Sequence, residues 1–382
     1  MKFNHFVVER PVNLKRTDTG LVVSIILLLG FGLLTLYFTS ADYGTRFYND
    51  SGYFFKQQVF SVIVGLIAMI VMACIDLDWL RKFMPWILLA TIILNLLPLF
   101  PVIGVEINGG KRWFKIFSFT FQPSEIAKFV IVLFLANLFD KKKEKINDPA
   151  TCITPVVTVL FLFVGIIIFQ NDYATSMIIL GLGLLLLFLS GASLKWFGTF
   201  FVFSIPIAIF FIFLEEYRVD RLIAFLKPEY DVKGINYQVM NSKVAVSSGG
   251  FWGQGMGTGL EKIKYIPEVH ADFVFSGWAE AMGFIGVLGY FTLLGYFAYK
   301  VFYIATKCDD FFRSLLAFGC GTIIVIQSLL NCGVVCGALP STGIPLPFFS
   351  HGGTSMLMTL VICGVIINVS RYKNDSEIIY EW

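Results

Sequence analysis

The chain has 382 residues, of which 14% are charged. Counted with Gly and without Tyr, roughly 62% are apolar, against roughly 45–50% apolar and 25% charged in soluble domains, which excludes a soluble globular protein. The same figures exclude a disordered chain, and a formal net charge of +3 is no nucleic-acid footprint.

The first 16 residues are polar and basic, and the apolar run behind them has no small-residue cleavage site, so that run is expected to remain as a signal anchor. Ten runs long enough to cross a bilayer are read at 20–39, 57–75, 83–101, 123–139, 152–169, 173–190, 194–213, 273–299, 314–337 and 352–370. The fifth and sixth are separated only by Gln170, Asn171 and Asp172, a tight turn at one membrane face. With the N-terminus inside, short inner segments carry sixteen basic residues; short outer segments carry five, Arg46, Lys56, Lys111, Arg112 and Lys115. The positive-inside rule then makes both termini cytoplasmic. The expected fold is an all-α integral membrane protein, a bundle of about ten transmembrane helices forming one polytopic domain over 1–382. Cytoplasmic tails occupy 1–19 and 371–382, and a large extracytoplasmic loop, 214–272, joins spans seven and eight. Within that loop, Tyr237 to Ser248 has the apolar spacing of a short or re-entrant helix. The seven cysteines are scattered and read as packing thiols, including Cys332 and Cys336 one helical turn apart.

Four polar clusters on the outer side are candidates for chemistry. The first runs from Asn108 through Lys111, Arg112 and Trp113 to the helix start Gln122-Pro123-Ser124-Glu125 and then Lys128. Lys111 and Arg112 fit an interface belt and also fit phosphate. Lys128, one turn into a span, either serves function or snorkels and pairs with Glu125. In the second, Asp172 either caps the sixth span or faces a cavity. The third holds six glycines between Gly249 and Gly259, then Glu268, His270 and Asp272 at the mouth of the eighth span. Asp272 reads either as a general base or as a helix N-cap. Glu280, eight residues on, would share its helix face. The fourth, Pro340 to Ser355, has three prolines and three glycines and shapes a cavity rim.

These clusters carry a family resemblance across nearly the whole chain. Asn-Gly-x-x-Arg-Trp (Asn108 to Trp113), Gln-Pro-Ser-Glu-x-x-Lys (Gln122 to Lys128), the loop pattern through Tyr237, Gln238, Ser242, Ala245 and Gly249, Pro267 to Phe275, and Pro340 to Ser355 resemble the signatures of the SEDS proteins, membrane polymerases of bacterial peptidoglycan. Arg221 and Phe225 fit a further Arg-x-x-x-Phe element. The departures are Asn171 for Pro, Ala174 for Gly, Ala271 for Thr, Ala281 for the second Glu of a pair, and His351 for Tyr. Lys262 to Pro267 is closer to the division branch than to the elongation branch.

The resemblance implies a glycosyltransferase that polymerises lipid II, with undecaprenyl-pyrophosphate-linked glycan as the growing strand and Asp272 as catalytic base. It makes Lys111, Arg112, Trp113, Lys128, Asp172, Arg218, Arg221, Gln238, Ser242, Glu268, His270, Glu280 and Ser350 candidate substrate-binding residues. No metal ligand is assigned; Mg²⁺ or Mn²⁺ is allowed for as a helper at the leaving pyrophosphate. The implied partners are a class B penicillin-binding protein and other divisome proteins. The implied location is the bacterial inner membrane at the division septum. The competing readings are a lipid II flippase, with Lys128 and Asp172 along its path, an elongation-type polymerase, and a non-catalytic divisome scaffold.

Overall fold

The computed structural model describes residues 17–372 apart from 108, 117–118, 228, 232–233, 235 and 258–260. Most of both predicted tails, with Lys2, Arg10, Lys15, Arg16 and Lys373 of the charge count, lies outside the described residues.

Every predicted span is a helix. They are α1 (Thr19–Tyr48), α2 (Tyr53–Cys74), α4 (Met84–Leu96), α5 (Pro123–Lys141), α6 (Thr154–Phe169), α7 (Tyr173–Leu189), α8 (Leu194–Phe213), α11 (Val274–Lys307), α12 (Phe311–Val335) and α13 (Gly353–Ser370). Between them lie α3 (Leu77–Lys82), α9 (Glu216–Leu226) and α10 (Tyr237–Ser248), the last on the segment whose spacing predicted it. Among the described residues seven helices are long and apolar enough to cross a membrane; the stretch Met84–Leu99 and α7 are shorter apolar helices. The fourth span in chain order, α5, carries Glu125, Lys128, Asp140 and Lys141.

Packing follows from side-chain size. α13 lies along α2 where Gly65 and Gly364 leave no room for a Cβ beside Leu360 and the Met69 backbone. Close approach through small residues is how helices associate in lipid. α5 is buried on nearly every face, its Glu125 and Lys128 included, whereas α2 and α8 turn large apolar side chains outward.

Two features depart from the sequence reading. Part of the region between the third and fourth spans is a three-stranded antiparallel sheet, β1 (Gly104–Ile107), β2 (Gly110–Ile116) and β3 (Phe119–Phe121), in the order β1-β2-β3. Ile107 pairs with Gly110, and Gly109, just before that pairing partner, takes φ +74°, which glycine allows. The eighth span also runs on to Lys307 and is interrupted at Gly283, where φ is +62° and ψ −161°.

The ends of the bundle differ in character. One end gathers the sheet, the 170–172 turn, α9, α10 and the 336–352 segment. The other holds ion pairs between Arg81 and Asp140, and between Arg313 and Asp78 (3.1 Å) and Asp310 (3.0 Å). All seven cysteines are free.

Candidate active site

Asp272 stands just before α11. It is not the helix cap: Phe273 holds that position and no side chain caps it. Asn331 of α12 donates from its side-chain amide to the carbonyls of Asp272 and Ile344, both at 2.8 Å, and so clips this backbone to the Pro-rich segment. Gly343 takes φ +70°, and a Cβ there would sit 3.4 Å from Asp272 Oδ2. The carboxylate lines a chamber of about 250 Å³ with Arg112, Trp113, Tyr217, Arg221, Glu268 and His351.

A second cavity, about 410 Å³ and mostly apolar, opens beside it between α7, α9 and α12, and Arg218 stands among its lining residues. Arg112, Tyr217, Arg221 and Thr342 belong to both cavities. An apolar groove and a polar chamber therefore share a wall that carries two guanidinium groups.

Those arginines are firmly held. Arg112 projects from β2, donates to the Asn171 carbonyl, and lies 3.9 Å from the Asp172 carboxylate. Its Nε–H is buried without a partner among the described residues. Asp172 is the cap of α7: Oδ1 accepts from the Thr175 N–H (3.3 Å), and the buried carboxylate faces Arg112 without lining either cavity. Arg221 donates to the Ser341 carbonyl (2.9 Å) and stacks 4.2 Å over the Tyr217 ring. Arg218 donates to the Phe211 carbonyl (2.6 Å) and to Asn171 Oδ1 (3.2 Å).

Charge in the chamber is tuned by burial. Burial raises the Asp272 carboxyl to about 6, Arg221 and Arg112 oppose the shift, and Glu268 and Asp172 add to it. Burial lowers His351 to about 4, and burial with the neighbouring His351 lowers His270 to about 3. Both imidazoles are neutral at pH 7. A carboxylate near 6 is mostly ionised at neutral pH and a better base than a free Asp.

Several sequence candidates lie elsewhere. Lys111 is exposed on β2, on the opposite side of the strand from Arg112, because side chains alternate along a strand. Lys128 neither snorkels nor reaches either cavity: its ammonium donates to Glu125 Oε1 at 2.7 Å, and both side chains are buried. Ser242 Oγ donates to the Val335 carbonyl (2.6 Å), and Ser350 Oγ accepts from the Leu346 N–H (2.8 Å); both serve the fold. Gln238 donates to the Pro267 carbonyl (3.3 Å). His270 packs among Tyr43, Phe54 and His351 behind the chamber. Glu280 does not share a face with Asp272, because the helix begins at Val274 and helical spacing does not extend back to Asp272.

Sequence reading missed Asn331 and the roles of Asn171, Tyr217 and Thr342. An amide in an apolar span was the available signal for Asn331. Among the described residues no group of three or more His, Cys, Asp or Glu could hold a metal ion.

A family model described as a cell cycle protein, named for FtsW, RodA and SpoVE, matches residues 19–375. A probable peptidoglycan glycosyltransferase FtsW of Bacillus subtilis is 38% identical over 380 residues, covering 95% of this chain and 93% of that protein. Stage V sporulation protein E of the same organism is 32% identical, covering 93% of this chain and 97% of its own length. Among solved structures, a chain of a peptidoglycan synthase complex described as coordinating polymerization and crosslinking superposes with a TM-score of 0.76 at 26% identity, covering 94% of this chain and 99% of that one. Thermus thermophilus RodA gives 0.68 at 25% identity, covering 94% and 98%. The chain is a multi-pass membrane protein and belongs to the FtsW/RodA/SpoVE family of cell cycle proteins.

Proposed function

We propose that the chain is a peptidoglycan glycosyltransferase that polymerises lipid II during cell division. The observation that carries this reading is the shared wall: Arg112 and Arg221 border both an apolar groove and the chamber of Asp272. A polyprenyl pyrophosphate sugar has that same sequence of parts. Its tail suits the groove, its pyrophosphate the arginines, and its sugar the chamber. In the reaction the 4-hydroxyl of one GlcNAc attacks C1 of the MurNAc on the growing strand. Asp272 takes the hydroxyl proton, the new C1–O bond is β, and undecaprenyl pyrophosphate departs with the electron pair of the broken bond. Arg112 and Arg221 face the charge that develops on the leaving group, which is where fixed cations lower a barrier. The buried Nε–H of Arg112 offers a further donor to a phosphate oxygen. Single displacement needs no second carboxylate, in keeping with Ala281.

Mg²⁺ or Mn²⁺ would fit the chamber only in the mode that uses one or two carboxylates with substrate phosphates. Glu268 would hold it, leaving Asp272 free as the base, and it would neutralise pyrophosphate charge. A flippase reading loses its motivation, since Lys128 is paired away from both cavities. We place the protein in a bacterial inner membrane, both termini cytoplasmic, acting at the septum. A class B penicillin-binding protein and other divisome proteins are its partners. The division branch is favoured by the identity to FtsW proteins.

The test is polymerisation of purified lipid II in the presence of moenomycin, by the chain alone and with its class B partner. A glycan ladder is expected from wild type, falling off as pH drops through about 6, and none from Asp272→Ala. A ladder from Asp272→Ala, or none from wild type with its partner, refutes the reading.

A further inference from the structure

Glu280 is 1% exposed and lies in the first half of α11. Its Oε1 accepts from the backbone N–H groups of Glu261 (3.2 Å) and Lys262 (2.9 Å), and its Oε2 from that of Ile263 (3.1 Å). These donors open the 3₁₀ turn Lys262–Tyr265. From that turn the chain runs through Glu268 to Asp272 and into α11. The segment 261–272 is thus a closed loop, joined to α11 by the backbone at one end and by Glu280 at the other.

The helix it closes upon is itself a separate piece. The break at Gly283 frees backbone groups, and the glycine-rich segment fills them. Gln254 N–H donates to the Glu280 carbonyl (2.9 Å), Gly255 N–H to that of Ala281 (3.0 Å), and Phe284 N–H to that of Gly250 (2.9 Å). The half-helix Val274–Met282 is clamped by segment 249–255 on one side and by the 261–263 turn on the other. Asp272 stands at its leading end.

We propose that Glu280 is a positioning residue for Asp272, its carboxylate closing the 261–272 loop on the half-helix and so setting where the base stands. This rests on the polymerase reading above and gives a role to a carboxylate that the reaction does not use. An ionised carboxylate suits three converging N–H groups because both oxygens accept; a glutamine offers one acceptor and turns two donors toward them.

The test uses the full-length chain, with its class B partner where polymerisation requires one, carrying Glu280→Gln and, separately, Glu280→Asp. Three quantities are read: kcat and KM for lipid II, the acid limb of the rate–pH profile, and hydrogen–deuterium exchange of amides 261–272. For Glu280→Gln we expect kcat to fall tenfold or more with KM within about threefold, the acid limb to move, and exchange in 261–272 to quicken while that of α12 and α13 holds. Glu280→Asp should recover part of each change and covers the case in which the glutamine variant fails to fold. Wild-type kcat and an unmoved acid limb in a folded variant overturn the proposal, as does unchanged exchange in 261–272. An inactive wild type condemns the polymerase reading instead, and the exchange measurement then decides by itself whether Glu280 orders the loop.

Discussion

Replacing Asp272 with Asn should stabilise the protein while abolishing its chemistry. Asp272 titrates near 6 in the folded chain against 3.8 for the ordinary group. Each unit of that difference is about 1.4 kcal/mol, so holding the carboxylate ionised costs the fold up to about 3 kcal/mol. The side chain is half-buried and borders the chamber, so solvent screening reduces the figure to roughly 1–3 kcal/mol. The sign is set by which state releases its proton first. Well below pH 3.8 the carboxyl is protonated both folded and unfolded, and no penalty exists. Between pH 4 and 6 the unfolded chain ionises first, and the penalty grows. Above pH 6 it is complete. Asp272→Asn escapes it, so at pH 7.5 the variant should melt roughly one to four degrees higher than wild type, and at pH 4 most of that difference should be gone. Polymerisation should drop by about 10²–10⁴ with the base gone. Melting of both proteins in detergent at the two pH values, beside lipid II polymerisation, checks this. A variant that melts below wild type at pH 7.5, or whose advantage persists unchanged at pH 4, refutes the account of Asp272 as a carboxylate held in strain for catalysis.

Three further outcomes are expected. Arg112→Lys keeps the charge but cannot reach the Asn171 carbonyl, Asp172 and a phosphate from one planar fork; polymerisation should fall about 10- to 100-fold, the worth of one or two charged hydrogen bonds, and wild-type rates at saturating lipid II would contradict it. Lys128→Ala strands the Glu125 carboxylate in the interior and should cost about 3–5 kcal/mol, whereas Glu125→Gln combined with Lys128→Met should restore melting and activity together; a stable but inactive Lys128→Ala would return that residue to the chemistry. Gly343→Ala forces a side chain into left-handed backbone for about 1–2 kcal/mol and sets a methyl in van der Waals contact with Asp272 Oδ2; the strain borne beside the base should lower kcat out of proportion to melting, and unchanged kcat would separate Gly343 from the base.

The spans were legible because twenty apolar residues in a row are a local property, independent of what packs against them. Even α10 could be read from its spacing. The sheet was not, because the seven residues of β2, with Lys111, Arg112 and Trp113 among them, also satisfy the description of an interface belt. Glu280 shows the limit most directly. Its eight-residue separation from Asp272 suggests a shared helix face, but the helix begins two residues after Asp272, and its phase means nothing outside it. Arg112 and Arg221 come together only through the Asn171 turn and the Ser341 carbonyl, contacts between segments far apart in the chain. Lys128 was open at the sequence level since a lysine one turn into a span can either rise to the interface or find an acid, and Glu125 three residues before it served both accounts.

The buried pair in α5 bears on how the protein is made. A helix with Glu125 and Lys128 facing inward partitions poorly into lipid as an isolated segment. The elements that enclose it, α7 and α12 among them, leave the ribosome only afterwards. This span must therefore wait, sheltered beside the insertion machinery or against the helices already placed, until later segments arrive to cover it. Its assembly is a collective event, and a truncation that removes α12 should leave α5 as the first span to be lost to quality control, however sound the helices before it.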